Sequence, residues 1–161
     1  MRGTYAQFES LASALWERLG LGEPQFGEPG RVLLRIDDAR VDLFDSERGQ
    51  MIVESMIGNL AEDRAASSRQ VRLILNVNIG LLLANDAGIY LKTIPSRETA
   101  LVARSSCSYS EGRLDKLIKK IEDVVQTVEY CQEDLRRFLH QGSHVGRAGA
   151  RIGDEDLVFR P

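Results

Sequence analysis

The chain has 161 residues, a mass of 18.0 kDa, 43% hydrophobic residues and 28% charged residues, a composition that suits one α+β domain with a moderate core. Its 21 basic and 24 acidic side chains give a net charge of -3 and a pI near 5.5, which argues against nucleic acid as a partner because phosphates require a positive field. Two cysteines and no signal-peptide pattern indicate a reducing cytoplasm. The most apolar window, residues 71–84, is too short to span a bilayer.

The first predicted element is a helix that begins at Tyr5 and ends near Gly20. Thr4 followed by Gln7 fits a capping box. Apolar residues then recur at three- and four-residue spacing through Leu19, which is typical of an amphipathic helix.

Three short strands are predicted after a loop rich in glycine and proline over residues 22–30. Alternating apolar residues over 32–36 and 41–43 flank a turn at residues 37–39, which predicts a hairpin. Residues 50–57 form the third strand. Connections this short leave no room for crossover helices, so we expect an antiparallel meander.

The second half of the chain is predicted to contain a helix, two strands and a long helix. Residues 62–78 fit either a helix or a buried strand, and we favour the helix. A turn at 85–88 precedes strands at 89–94 and 99–105. A capping box at Ser108 and Glu111 would start a helix whose apolar period continues to Leu139.

The predicted fold is therefore α+β, in the order α-β-β-β-α-β-β-α. A five-stranded, mainly antiparallel sheet is flanked by helices and followed by a long C-terminal helix. We assign residues 1–141 to this domain and residues 142–161 to a flexible tail, because the tail's glycines and few apolar residues do not offset the entropy of ordering.

No motif for a cofactor or a metal is evident, and we expect neither. The chain lacks a phosphate-binding loop, and the glycines at 20, 22 and 27 have the wrong spacing for a dinucleotide site. His140 and His144 are four residues apart, which could bind metal only if the last helix passed Gly142, where we expect it to end.

The two thiols have no evident catalytic partner. Cys107 precedes the long helix, and no histidine occurs before residue 140. Cys131 falls within the apolar register of that helix, where cysteine behaves as a small hydrophobe. We expect both cysteines to be structural.

Several segments resemble the class I chaperones of type III secretion systems. They are LILNVN at 73–78, GIYL at 88–91, TALVAR at 99–104 and the long helix, and the order of elements agrees from residue 5 to about 140. The 53–60 segment, with Gly58 after an apolar strand, is similar to the family's third strand leading into its second helix. The tail extends beyond the family's usual end.

The resemblance implies a homodimer in the bacterial cytoplasm that binds extended N-terminal segments of secreted effector proteins. It implies no enzymatic activity, no ATP consumption and no cofactor. It leaves open whether the chain also docks on an export ATPase.

Two sets of residues are candidates for these contacts. The candidates for client binding are large apolar residues of the first helix and the meander: Trp16, Phe26, Leu33 and Phe44. Filling the core is the alternative role for all four. The candidates for the dimer interface lie in the apolar segment after residue 72: Leu73, Leu75, Ile79, Leu81 and Leu83.

Two other functions fit the sequence. The chain could be a general protein-interaction adaptor unrelated to secretion, or a thiol-dependent enzyme that uses Cys107. Alkylation of Cys107 tests the enzyme, and co-purification with an effector N-terminus separates the chaperone from the adaptor.

Overall fold

The computed structural model describes residues 2–28, 30–46, 48–94, 98–111 and 114–145, with side chains described within these ranges except at 2–4, 28, 82–84, 111 and 137–145. The elements are α1 (Arg2–Leu19), β1 (Phe26–Glu28), β2 (Arg31–Ile36), β3 (Ala39–Asp45), β4 (Gln50–Asn59), α2 (Arg64–Ala84), β5 (Gly88–Thr93), β6 (Thr99–Ser108), a 3₁₀ turn (Tyr109–Glu111) and α3 (Leu114–Val145). Every neighbouring strand pair is antiparallel, in the order β1-β2-β3-β4-β6-β5. The predicted α+β class is confirmed.

Helix α1 packs one apolar stripe into the core and ends where predicted, but it begins at Arg2 rather than at Tyr5. Phe8, Ala12 and Leu15 have no exposed surface, as expected for positions that share a helix face. Gly20 follows the helix with a φ of 68°, the left-handed conformation that glycine adopts without a steric penalty.

The β2–β3 hairpin has a two-residue turn at Asp37 and Asp38, and Ala39, which the prediction included in the turn, begins β3. Ile36 pairs with Ala39, and Asp37 in the turn has a φ of 51°, which aspartate tolerates better than most residues. The register places Val32 and Leu34 of β2 in the core beside Val41 of β3.

The predicted count of five strands is wrong, because the loop over 22–30 contains strand β1. Phe26 of β1 pairs with Val32, and its ring meets Phe8 edge to face with centroids 6.0 Å apart. Pairing with β2 and this aromatic contact stabilise a three-residue strand. Its glycine- and proline-rich surroundings are not typical of a strand, so the sequence did not predict it.

Helix α2 confirms the helical alternative for residues 62–78 but runs to Ala84. Asp63 caps its N-terminus by accepting a hydrogen bond from the Ala66 N–H at 2.7 Å. Ile74 reaches the core. Asn78, where the prediction ends the helix, lies within it and bonds to β5.

The prediction for the boundaries of the last helix is wrong at both ends. Ser108 ends β6, its hydroxyl lies 2.8 Å from that of Ser110, and the 3₁₀ turn separates it from α3. The helix then passes Gly142 and reaches Val145. The side chains of both histidines and the predicted tail from residue 146 lie outside the described residues.

The core lies between the helices and one face of the sheet. Helix α3 packs against β4 and β6, α1 packs against β3 and α3, and α2 lies beside β5 and α3. Within the described ranges, no helix is long and apolar enough to cross a membrane.

Candidate protein-binding surfaces

The two faces of the sheet differ in what covers them. Alternate residues of each strand point to opposite faces, and one set is buried under α1 and α3. Helix α2 lies at the outer edge of β5. In the described part of the chain, no helix packs across the other face, which we call the open face.

The strand register arranges the open face in three rows that cross the sheet. The first row is Arg31, Phe44, Ile52 and Ser106, and the second is Leu33, Asp42, Glu54, Arg104 and Gly88. The third contains Arg35 opposite Arg40 and then Met56, Val102 and Tyr90, where Arg40 and Met56 follow one residue beyond the last β3–β4 pair, Val41 and Ser55. The middle row is mostly charged, and the outer rows carry most of the apolar surface.

Glu54 lies at the centre of the open face and is only 3% exposed. Its carboxylate accepts hydrogen bonds from Lys92 and from Arg104, whose Nε lies 2.9 Å away. The Tyr90 ring stacks on the Arg104 guanidinium, 5.6 Å from ring centroid to Cζ. Burial raises the pKa of Glu54, but the hydrogen bonds and charges of Lys92 and Arg104 outweigh it and hold the pKa below its ordinary value.

This lowered pKa predicts a specific loss of stability in acid. The ionised Glu54 stabilises the fold above the ordinary carboxyl pKa, and that contribution is lost as the pH falls through the lowered pKa. Glu54→Gln should therefore be less stable than the parent at neutral pH, and the difference should shrink below about pH 4. Urea unfolding at neutral and acidic pH measures both. A difference that does not change with pH would contradict the ionic role.

Three apolar side chains stand out on the open face. Leu33 is 37% exposed, Met56 is 47% exposed and Tyr90 is 51% exposed. Val102 lies between Met56 and Tyr90 in the third row and is buried. Together they form an apolar surface on either side of the Glu54 cluster, which consists of Glu54, Lys92 and Arg104.

The four predicted client-binding residues lie on both sides of the sheet. Trp16 is in the core and only 6% exposed, and the half-buried Phe26 packs on Phe8. Leu33 and Phe44 share the open face, where Arg31 stacks on the Phe44 ring at 6.0 Å. The structure thus brings together only the second pair.

The sequence prediction missed Met56 and Tyr90. Neither lies in a strictly alternating apolar pattern, because Met56 directly precedes Ile57 and Tyr90 lies between Ile89 and Leu91, so periodicity alone did not assign them to the face opposite the core. The pattern could not show that the two lie in one row, because β6 separates β4 from β5 in the sheet.

A second apolar surface lies on α2 and β5. Leu75 and Ile79, one helical turn apart, are 55% and 66% exposed, and Leu91 of β5 is 55% exposed. Of the other predicted interface residues, Leu73 is half-buried and Leu81 packs against the core. The side chain of Leu83 lies outside the described residues.

The edge of β5 is partly closed by α2. The Asn78 side-chain oxygen accepts a hydrogen bond from the Ile89 N–H at 2.9 Å, and its amide donates to the Ile89 carbonyl at 3.4 Å. The side chain thus occupies the backbone groups that an added strand would use there. A partner that binds the α2 surface would therefore contact apolar side chains rather than this strand edge.

A third apolar feature is an open groove of about 410 Å³ at the end of α1. It lies between α1, the tip of the β2–β3 hairpin and α3. Leu19 and Leu21 on its rim are 42% and 49% exposed. The groove is large enough for one or two side chains.

The two thiols of the chain are buried. Cys107 is 1% exposed and Cys131 is fully buried. Burial, with a smaller contribution from Asp134, raises the pKa of Cys131 to about 11, so this thiol stays protonated at neutral pH. Among the described residues, no group of three or more histidine, cysteine or acidic side chains is placed to hold a metal.

Solved structures with this fold include secretion chaperones. A chain of the HopA1–SchA chaperone–effector complex matches with a TM-score of 0.64 and 15% identity, over 80% of this chain and 95% of that one. A chain of the Yersinia pestis type III secretion chaperone SycH in complex with a stable fragment of YscM2 matches with a TM-score of 0.57 and 18% identity, over 77% and 98%. The chain therefore has the fold of the class I secretion chaperones.

The same fold occurs in a protein described by another role. YbjN from E. coli, described as a candidate transcription regulator, matches with a TM-score of 0.53 and 14% identity, over 77% of this chain and 88% of that one. No protein-family model matches the sequence. No curated protein matches it either.

Proposed function

We propose that this chain is a non-enzymatic chaperone of the bacterial cytoplasm. In this proposal it binds the extended N-terminal segment of secreted effector proteins and keeps them competent for type III secretion. The observation that carries the proposal is the combination of a secretion-chaperone fold with an open sheet face that exposes Leu33, Met56 and Tyr90. Exposed apolar side chains grouped on one surface are typical of sites that bind other polypeptides.

The proposed contacts require no reactive group. Leu33, Phe44, Met56 and Tyr90 can receive apolar client side chains, and the charged middle row can bind polar ones. Both cysteines are buried, which disfavours the thiol-dependent alternative. We assign Trp16 to the core, and we place the binding function in residues 1–141 rather than in the tail.

Truncation of the open-face apolar residues should weaken client binding without unfolding the protein. Leu33→Ala with Met56→Ala removes exposed side chains from two strands, so the melting temperature should change little. Loss of apolar anchors at an interface typically costs about 2 kcal/mol or more, roughly a thirtyfold loss of affinity. Calorimetric titration with an effector N-terminal peptide, alongside thermal denaturation, measures both quantities.

The client for this titration comes from pull-down in a secreting strain, with bound peptides identified by mass spectrometry. Tyr130→Ala is the matched control, because Tyr130 is 53% exposed on α3, away from the open face. Unchanged affinity in the Leu33 and Met56 variant would remove the open face from the client site. Capture of cytosolic partners and no secreted ones would favour the general adaptor.

We also propose that the chain is a homodimer formed through α2 and β5. Leu75, Ile79 and Leu91 make an exposed apolar strip, and a stable interface buries at least about 1,000 Å² in total. Leu73 and Leu81, half-buried beside it, would complete the contact. The proposal leaves the sheet's open face accessible to a client.

Charges on this strip should separate the subunits. Leu75→Glu with Ile79→Glu would bury four carboxylates in a two-fold interface, which is strongly unfavourable. We expect a dimeric mass for the parent and a monomeric mass for the variant by light scattering at tens of micromolar. Leu21→Glu, at a leucine that is 49% exposed just after α1, should remain dimeric. A monomeric parent would refute the dimer.

A further inference from the structure

The third row of the open face begins with two arginines in an unfavourable arrangement. Arg35 and Arg40 are directly opposite each other on β2 and β3, and both are exposed. Like charges at directly opposite positions destabilise a strand pair. The row therefore carries a local electrostatic cost in the unbound protein.

The other cations of the face each bind a carboxylate within it. Arg31 pairs with Asp42 at 3.2 Å, and Lys92 and Arg104 both bind Glu54. No such pair joins Arg35 or Arg40 to a carboxylate in the described residues. Asp37 and Asp38 lie in the intervening turn, and neither forms an ion pair with these arginines there.

The same row continues into the most exposed apolar part of the face. Met56 of β4 pairs with Val102 of β6, which pairs with Tyr90 of β5. From β3 to β5 the row crosses three strand spacings, about 14 Å in all. An extended polypeptide covers that distance with about four residues.

The geometry points to a client segment of defined chemistry: an extended stretch with one or two carboxylates followed, about four residues away, by a large apolar side chain. The carboxylates would neutralise Arg35 and Arg40, with guanidinium–carboxylate hydrogen bonds. The apolar side chain would pack among Met56, Val102 and Tyr90. This inference rests on the proposed function and specifies which clients the open face selects.

A nucleic acid fits the row less well than an acidic peptide. Two arginines supply few phosphate contacts, and the whole chain carries a net charge of -3, which opposes approach of a polyanion. A peptide with one or two carboxylates needs only the local pair of charges.

The test uses synthetic peptides of about twelve residues, long enough to cross the sheet in extended form. One carries two glutamates about four positions from a phenylalanine, and its twin has glutamine in place of glutamate. Fluorescence anisotropy with the full chain should show about three- to tenfold tighter binding of the glutamate peptide, since partly exposed ion pairs contribute modestly. Higher salt should reduce the preference.

Three double variants locate the effect. Arg35→Gln with Arg40→Gln should abolish the preference while keeping or raising the melting temperature, because it removes the repulsion. Arg69→Gln with Arg136→Gln removes the same amount of charge from exposed helical positions. This control variant should keep the preference for the glutamate peptide. Charge reversal to Arg35→Glu with Arg40→Glu should favour a lysine peptide.

The outcomes separate this inference from the proposed function. Equal affinity for the two peptides overturns the charge selection, while their binding still supports a polypeptide-binding chain. If neither peptide binds, the charge selection is also overturned. Client capture from the secreting strain then tests the proposed function independently. Tighter binding of a single-stranded oligonucleotide than of the glutamate peptide would overturn it in favour of nucleic acid.

Discussion

Trp16→Ala is expected to lower the free energy of unfolding by about 3 to 5 kcal/mol, as for other large aromatic residues removed from a packed core. Trp16 is only 6% exposed and belongs to the apolar cluster that includes Leu15 of α1. Truncation would leave a cavity between α1 and its neighbours. For a domain of this size the melting temperature should fall by about 10 °C, and thermal denaturation measures it.

Leu33→Ala is the comparison that separates the two roles predicted for large apolar residues. Leu33 points to the open face and is 37% exposed, so its truncation should change the melting temperature by only a few degrees. Any loss of client binding by Trp16→Ala should follow the fraction of protein that is unfolded. Normal melting with weakened client binding in Trp16→Ala would instead place the tryptophan in the binding surface.

Local sequence signals predicted the features that depend on the conformational preferences of a few neighbouring residues. Gly20 ends α1 in the left-handed region, and the turn at Asp37 fixes the hairpin register. Strand β1 was missed because pairing with β2 and the contact of Phe26 with Phe8 hold it, and both are long-range. The extension of α2 beyond Asn78 likewise depends on packing against β5.

The candidate surface was predictable only in part, for a related reason. Apolar alternation in β2 places Val32 and Leu34 on one face and Leu33 on the other, so the orientation of Leu33 could be read from the sequence. Periodicity alone could not decide whether Trp16 faces the core or a client, because both roles use an apolar helix face. The order of strands was also needed to bring Glu54 beside Lys92.

The Glu54 cluster shows what that strand order adds to stability. β6 lies between β4 and β5, and Glu54 of β4 is bridged to Arg104 of β6 and Lys92 of β5. One buried carboxylate of β4 thus binds residues that lie 38 and 50 positions later in the sequence, on β5 and β6. A buried pair is weak evidence for net stability, but a buried charge that loses its partners is strongly destabilising.

Removal of both cations should therefore destabilise the protein more than removal of the whole cluster. Lys92→Met with Arg104→Met leaves Glu54, at 3% exposure, without its partners, and we expect a loss of about 3 kcal/mol. This expected loss of stability lies at the lower end of the range for buried ion pairs, because the Lys92 and Arg104 side chains are 37% and 35% exposed. Adding Glu54→Met should recover most of the loss, since an apolar cluster of similar volume leaves no charge unpaired. Urea unfolding of the double and triple variants gives the two values. A triple variant less stable than the double variant would show that Glu54 has polar partners other than these two cations.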